Sequence, residues 1–367
     1  MTLAGRYDLV VFDLDGVVYV GAQAVPGAPE AIRALVEAGT PVAYATNNAS
    51  RRATEVADLL GRLGVPARPE EVVTSARATA ELLAGELPPG APVLPVGAPA
   101  LGEELAAVGL SPVTRAEDRP VAVVQGYGPN VGWAMLAEAC VAIRAGARWV
   151  ATNPDPTMPS PRGPVPGNGA LVAAVATALG REPDTVVGKP APGLLEAAAR
   201  RRGARRVLVV GDRLDTDIEG AARAGMDSLL VLTGVATPAD LLAAPPHRRP
   251  TYVAADLGAL STPDDSVRVP EWAGAVVHAG WRVSLDDRQL VLVAHARAAG
   301  DARTAGDAPD AGGDAPDPVG ALRALAAAAW QCPQWTAIRV DPAGASALSA
   351  LGLQRHASPM AESPGSP

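Results

Sequence analysis

A chain of 367 residues exceeds one typical domain, and at roughly 150 residues per domain it allows two or three. Its 48% hydrophobic content, with a single Phe, is that of a globular protein whose cores are built from small aliphatic side chains. A formal charge of −8 argues against a nucleic-acid binder, and no apolar run reaches the roughly 18 residues that span a bilayer. Cys140 and Cys332 have no partner at metal-ligand spacing and read as reduced thiols. The N-terminus lacks a basic stretch ahead of a long apolar core, so the expected location is cytoplasmic, with no membrane and no nucleic-acid partner.

Taken in chain order, residues Tyr7 to Phe12 form an apolar run that ends in Asp13-Leu14-Asp15-Gly16, the pattern of a buried parallel strand followed by a turn. A Gly- and Pro-punctuated stretch leads to a helix over 29–38, a strand over 41–45 ending in Thr46-Asn47-Asn48, and an amphipathic helix over 54–63. Residues 85–183 repeat strand and helix patterns around 92–96, 98–108, 121–125, 132–145 and 148–151, and read as an inserted α/β domain. The stretch 153–169 is dense in Pro and Gly and reads as an ordered loop. Gly188-Lys189-Pro190 then opens a helix over 192–202. A strand over 206–210 ends in Gly211-Asp212, and a helix over 216–224 and a strand over 228–232 complete a doubly wound parallel core.

Beyond a boundary near 261–265 the sequence changes character. Strands over 281–285 and 289–294 make a hairpin across Asp286-Asp287-Arg288, followed by a helix over 319–330 and a strand over 336–340. Between them, residues 297–318 form an acidic Ala-, Gly- and Pro-rich insert that cannot bury enough apolar surface to order itself, and residues 358–367 are expected to be disordered. The expected division is a discontinuous core over 1–84 and 184–262, an inserted unit over 85–183 and a C-terminal α+β unit over 263–357.

The polar clusters fall at strand ends or helix starts, and in open α/β sheets that edge is where ligands bind. A phosphoryl group in transfer needs an in-line nucleophile, a metal, a cation and hydroxyl or amide donors. Asp13 suits the nucleophile and a metal ligand. Asp15, two residues on, suits the acid that protonates the leaving oxygen and then activates water. Asp13, Asp15, Asp212 and Asp217 offer the hard oxygens that Mg²⁺ requires, with Asp217 placed to hold a metal-bound water from the next turn. Thr46 supplies a hydroxyl, Asn47 and Asn48 continue the loop that would cradle the phosphate, and Lys189 supplies fixed positive charge. Asn153 and Asp155 lie where the Pro-rich loop could touch substrate, although an Asx turn accounts for them equally.

Phe12-Asp13-Leu14-Asp15-Gly16, Ala45-Thr46-Asn47-Asn48, Gly188-Lys189-Pro190 and Gly211-Asp212-Arg213-Leu214-Asp215-Thr216-Asp217-Ile218 resemble, in order, the four signatures of the haloacid dehalogenase superfamily. The 143-residue gap from Thr46 to Lys189 places a large cap between the second and third, as in the NagD-like, C2-capped phosphatases, and Val165 to Gly169 looks like their cap-exit sequence. Stretches such as Thr46 to Arg51 and Gly211 to Gly220 are most similar to an actinobacterial group that hydrolyses glycerol 3-phosphate. This resemblance implies a Rossmann-like core, a C2 cap, a C-terminal domain resembling the acetyltransferase fold, an aspartyl-phosphate intermediate and a small phosphate ester as substrate. Phosphoglycolate, pyridoxal phosphate and p-nitrophenyl phosphate remain alternatives, and a homo-oligomer through the cap or C-terminal domain is open.

Each cluster alone has a plainer explanation: Asp13 and Asp15 as solvated turn carboxylates, Asp212 as a helix N-cap, Asp217 as a first-turn helix charge. Tyr127, Trp133 and Trp149 read as packing residues, and the four scattered His as surface or core residues. The Arg303 to Ala308 stretch fits the pyrophosphate-loop pattern of acetyltransferases, a rival activity, but no helix follows at once to hold the pyrophosphate.

Overall fold

The strand Leu9–Phe12 alternates its four buried side chains between two cores: Val10 and Phe12 face one, Leu9 and Val11 the other. Burial on both faces is why a parallel strand reads as an unbroken apolar run. In the computed structural model, which describes residues 1–158, 160, 162–295 and 316–359, this strand lies inside a six-stranded parallel sheet. The order across the sheet is Tyr252–Ala254, Asp227–Val231, Val207–Gly211, Leu9–Phe12, Val42–Thr46 and Val72–Thr74. Helices Ala28–Glu37 and Ala53–Arg62 connect strands of this sheet, Ser75–Glu86 leads out to the inserted stretch and Gly193–Arg202 follows the return from it. The expected core strands are present, and Tyr252–Ala254 is an edge strand that the sequence pattern did not reveal. Within the Gly-rich stretch after Asp15, Tyr19–Val20 and Gln23–Ala24 pair as a small antiparallel hairpin beside the acidic turn.

A second, five-stranded parallel sheet occupies the inserted stretch, in the order Thr185–Val186, Arg148–Ala151, Ala122–Gln125, Pro92–Val96 and Ser111–Pro112. Its last strand in sequence, Thr185–Val186, lies past the expected limit at 183. The stretch 153–169 contains a short antiparallel ribbon, Thr157–Met158 with Val165–Pro166, and leads into helix Asn168–Leu179. Where this sheet approaches the core the backbones are close: a Cβ on Gly126 would stand 3.2 Å from the Cβ of Ala49.

The C-terminal sheet is mixed, in the order Ala275–His278, Trp281–Asp286, Gln289–Ala294, Ala337–Val340 and Ala357–Pro359. The first two pairings are antiparallel and the last two parallel. The hairpin turns through Asp287 in the left-handed region, at φ 55°. Two expectations are corrected. Asp317, placed in the disordered insert, caps helix Pro318–Ala329 by accepting the N–H groups of Val319 and Gly320. Ser358 and Pro359, placed in the disordered tail, belong to a strand, because Ala337–Val340 offers them an open parallel edge. The remainder of the acidic insert over 297–315, including Arg303 to Ala308, and residues 360–367 lie outside the described residues.

The C-terminal layer shares a core with the six-stranded sheet. Ile218, Leu230, Leu241, Leu242 and Val253 from the sheet side form one apolar cluster with Trp281, Leu322, Leu325 and Leu348. Helix Pro318–Ala329 lies between the two, which is why every residue from Gly320 to Ala329 is buried. Its many alanines permit that close approach on both sides. Among the described residues no helix is long and apolar enough to cross a membrane.

Candidate active site

Asp13 follows the end of its strand directly, and its N–H donates to Val210 O on the neighbouring strand. The strands Leu9–Phe12 and Val207–Gly211 run parallel in register, so their tips bring Asp13 and Asp212 to one edge. Lys189 is 2% exposed, and its ammonium donates to Asp13 Oδ1 at 2.6 Å, to Asp217 Oδ1 at 2.7 Å and to Ala45 O at 3.2 Å. Burial opposes its charge, but the two carboxylates outweigh burial and hold the ammonium above its usual range. Burial pushes the Asp13 carboxyl well up. Lys189 pulls it back, and Asp217 and Asp212 push it up again.

Asp212 is fixed by the loop after strand Asp227–Val231. Its Oδ2 accepts the N–H of Val235 at 2.7 Å, its carbonyl accepts that of Ala236 at 2.9 Å, and its buried Oδ1 has no partner among the described residues. Burial, then Asp217, push its carboxyl up to about 6. Asp217 is fully buried where the helix after Gly211 begins with a wide i→i+5 turn, Ile218 N–H donating to Arg213 O. Such turns recur at functional sites. Asp217 Oδ2 accepts the N–H of Arg213 at 3.1 Å, so both of its oxygens are engaged.

Carboxylate oxygens of Asp13, Asp212 and Asp217 lie within 4.8 Å of one another. Three clustered carboxylates, one oxygen of them buried and unpartnered, fit a hard divalent cation, which would relieve their mutual repulsion. Asp15 is not one of the three. It is exposed as a residue, and its carboxyl is pushed up by desolvation and drawn down by Lys189 and then Arg51.

Thr46 is buried, and its Oγ accepts the N–H of Asn48, which leaves its hydroxyl proton to be donated. Asn48 accepts from the N–H and hydroxyl of Ser50. Asn47 is a hub. Its amide donates to Asp155 Oδ2 at 3.0 Å and to Lys189 O at 2.9 Å, and its Oδ1 accepts the N–H of Lys189 at 2.9 Å. Asn153 forms the Asx turn, accepting the N–H of Asp155 and donating to Asn47 O. Asp155, its carboxyl raised by burial against the bond from Asn47, thereby joins the inserted unit to the lysine loop. Trp149 is buried and donates to Gln125, whereas Trp133 is 83% exposed rather than packed.

The sequence reading passed over Thr233 to Ala236, which orient Asp212. A Cβ on Gly234 would stand 2.0 Å from Asp212 Oδ2, and the hydroxyl of Thr233 donates to Gly16 O at 2.6 Å. Their one signal was position: they follow a core strand at the same sheet edge as Asp13, Thr46 and Asp212.

A model of haloacid dehalogenase-like hydrolases matches residues 10–111, and a second HAD hydrolase-like model matches 186–260. The chain is 47% identical over 330 residues to the D-glycerol 3-phosphate phosphatase of Mycobacterium tuberculosis, covering 90% of this chain and 88% of that one. A crystal structure of the glycerol phosphate phosphatase of that organism in complex with magnesium superposes with a TM-score of 0.84 at 45% identity, covering 96% of this chain and 99% of that one. The 4-nitrophenylphosphatase of Thermotoga maritima matches with a TM-score of 0.66 at 34% identity, over 71% of this chain and 98% of that one.

Proposed function

The chain belongs to the haloacid dehalogenase-like hydrolases and is a phosphomonoester hydrolase, and on that premise we propose that it hydrolyses glycerol 3-phosphate through a phosphorylated Asp13. The observation that carries the chemistry is the single ammonium of Lys189 held between Asp13 and Asp217, beside the unpartnered Oδ1 of Asp212. The substrate rests on the 88% of the mycobacterial enzyme's length that the alignment covers.

The Asp13 carboxylate attacks phosphorus in line, and the bond to the substrate's alkoxide oxygen breaks as Asp15 gives that oxygen a proton. Asp15, now a carboxylate, takes a proton from water, which attacks the phosphoryl group and returns Asp13 and inorganic phosphate. Desolvation pushes the Asp15 carboxyl up, the direction that favours its acid form. The ammonium of Lys189 and the hydroxyl of Thr46 hold the phosphoryl oxygens, whose charge they balance in the transition state. Asp13 and Asp212, with Asp217 beside them, would hold Mg²⁺, which would supply further positive charge to the transferring group. Asn47, Asn48, Asn153 and Asp155 serve by position: Asn47 fixes the backbone of Lys189 while Asp155 ties the inserted unit over the site.

In this reading the C-terminal mixed sheet with helices Pro318–Ala329 and Pro342–Ala350 is an acetyltransferase-like unit without acyl-transfer chemistry. The test is phosphate release from glycerol 3-phosphate, phosphoglycolate, pyridoxal phosphate and p-nitrophenyl phosphate with and without Mg²⁺, with Asp13→Asn as the blank. Selective, Mg²⁺-dependent release from glycerol 3-phosphate is expected. Comparable rates on all four would replace the substrate by a broad range of small esters, and activity in Asp13→Asn would refute the nucleophile.

A further inference from the structure

The segment that orients Asp212 does not stand on its own. Val235 and Ala236 give their N–H groups to Asp212, and Ala236 is already part of the apolar cluster shared with the C-terminal layer. The next residue, Thr237, caps the short helix Pro238–Leu242, exchanging bonds with Asp240. That helix buries Leu241 and Leu242 in the same cluster, and the carbonyl of Leu241 accepts the indole N–H of Trp330 at 3.0 Å. Trp330 follows helix Pro318–Ala329 and is itself held from the core side. Arg249 donates to its carbonyl at 3.2 Å and places its guanidinium 5.2 Å from the ring. On the other flank Ile218, the neighbour of Asp217, is fully buried in this shared cluster.

We propose that the C-terminal layer positions the metal ligand Asp212, with Trp330 as the positioning residue that anchors the 233–242 segment. The physical reason is geometric. One carboxylate oxygen of Asp212 is tied to Val235, so the direction of the free Oδ1 is set by where that loop sits. Six residues beyond Val235, Leu241 is anchored by Trp330, which belongs to another layer of the molecule. The loop also takes the hydroxyl of Thr233 to Gly16 O, which couples the same segment to the turn carrying Asp13 and Asp15. Groups behind a metal ligand that fix its orientation typically affect metal affinity by about 10- to 100-fold.

The inference rests on the reading of Asp212 as a metal ligand, and the experiment separates the two. Mg²⁺ binding to the full-length protein is measured by calorimetry, without substrate, for wild type, Trp330→Ala and Trp330→Phe. Gly234→Ala, which pushes directly on Asp212, serves as the positive control. Leu83→Ala, a cavity in a core cluster away from this segment, controls for general loss of stability. Trp330→Ala is expected to weaken Mg²⁺ binding about 10-fold, and Trp330→Phe, which keeps a ring but loses the indole N–H, to a smaller extent. Under saturating Mg²⁺, kcat should return toward wild type with KM for the phosphate ester changed less than about twofold. Mg²⁺ affinity in both Trp330 variants equal to that of wild type, or no weaker than that of Leu83→Ala, would overturn the positioning role. Absence of Mg²⁺ binding in wild type would instead sink the reading of the carboxylate cluster as a metal site.

Discussion

Asn47 spends its whole side chain on the protein, joining the N–H and carbonyl of Lys189 to the carboxylate of Asp155. Removing it strands a backbone N–H and a partly buried carboxylate. Asn47→Ala is therefore expected to lower stability by about 1–3 kcal/mol in urea denaturation and to raise KM, because Lys189 and the Asp155 loop lose their common anchor. Unchanged stability would mean that water replaces the amide without loss. At Asp15 the expectation is different. Asp15 is exposed as a residue and its side chain makes no hydrogen bond among the described residues, so Asp15→Asn should fold as wild type yet lose roughly 10²- to 10⁴-fold in kcat, the range for a proton-transfer group. Wild-type turnover by Asp15→Asn would remove it from the mechanism. The identities of these residues were legible in the sequence, since their types and spacing match what phosphoryl transfer requires. The division of labour was not, because whether an amide is free for substrate or spent on a neighbour depends on residues more than a hundred positions away.

Helix Pro318–Ala329 carries one charged residue on its buried surface. Arg323, 4% exposed, donates to Val253 O at 2.9 Å, to Asp317 Oδ2 at 3.1 Å and to His278 Nε2 at 3.0 Å. An imidazole nitrogen that accepts a hydrogen bond carries no proton, so His278 is neutral here. Burial, then Arg323, hold its pKa below the ordinary 6.5, with Asp317 opposing, while Asp256 and Asp265 face it across a cleft of about 570 Å³. The unfolded chain takes up a proton near 6.5 and the folded one does not, so the stability contributed by neutral His278 is present above that pH and lost as pH falls below it. The urea midpoint of wild type should thus fall further between about pH 7.5 and pH 5.5 than that of His278→Gln, which keeps an uncharged acceptor. Equal falls in the two proteins would show that His278 does not titrate in this window. The helix itself was legible as an apolar stretch from 319 to 330. Its burial on all sides was not, because periodicity reports one partner face and this helix has two.

At the scale of the whole molecule, the C-terminal layer covers apolar surface that the six-stranded sheet cannot cover alone. Deleting the chain after Ser261 would uncover Ile218, Leu230, Leu241, Leu242 and Val253, each worth about 1.5–3 kcal/mol when fully buried. The truncated protein is expected to melt well below the full chain and to bind a hydrophobic dye. A soluble truncation with an unchanged melting temperature would show that the layer is only appended. In the 4-nitrophenylphosphatase of Thermotoga maritima 98% of the chain aligns to 71% of this one, so the rest of this chain has no counterpart in that alignment.

What the sequence alone determined is local: the strands that end in Asp13, Thr46 and Asp212, the lysine at 189, and the long insertion between the second and third clusters. Each is encoded by an apolar run and the polar residues directly after it, and chain order then constrains a parallel α/β sheet to collect those ends on one edge. What only the tertiary structure decided is which groups complete that edge. The Gly234–Ala236 loop gains its role because Gly leaves room for the Asp212 carboxylate, the edge strand Tyr252–Ala254 is three residues of pattern too short to stand out, and Trp330 meets Leu241 across 89 positions. Contacts of that separation leave no periodic trace in a single chain. They exist only once the helix of one layer is seated against the sheet of another.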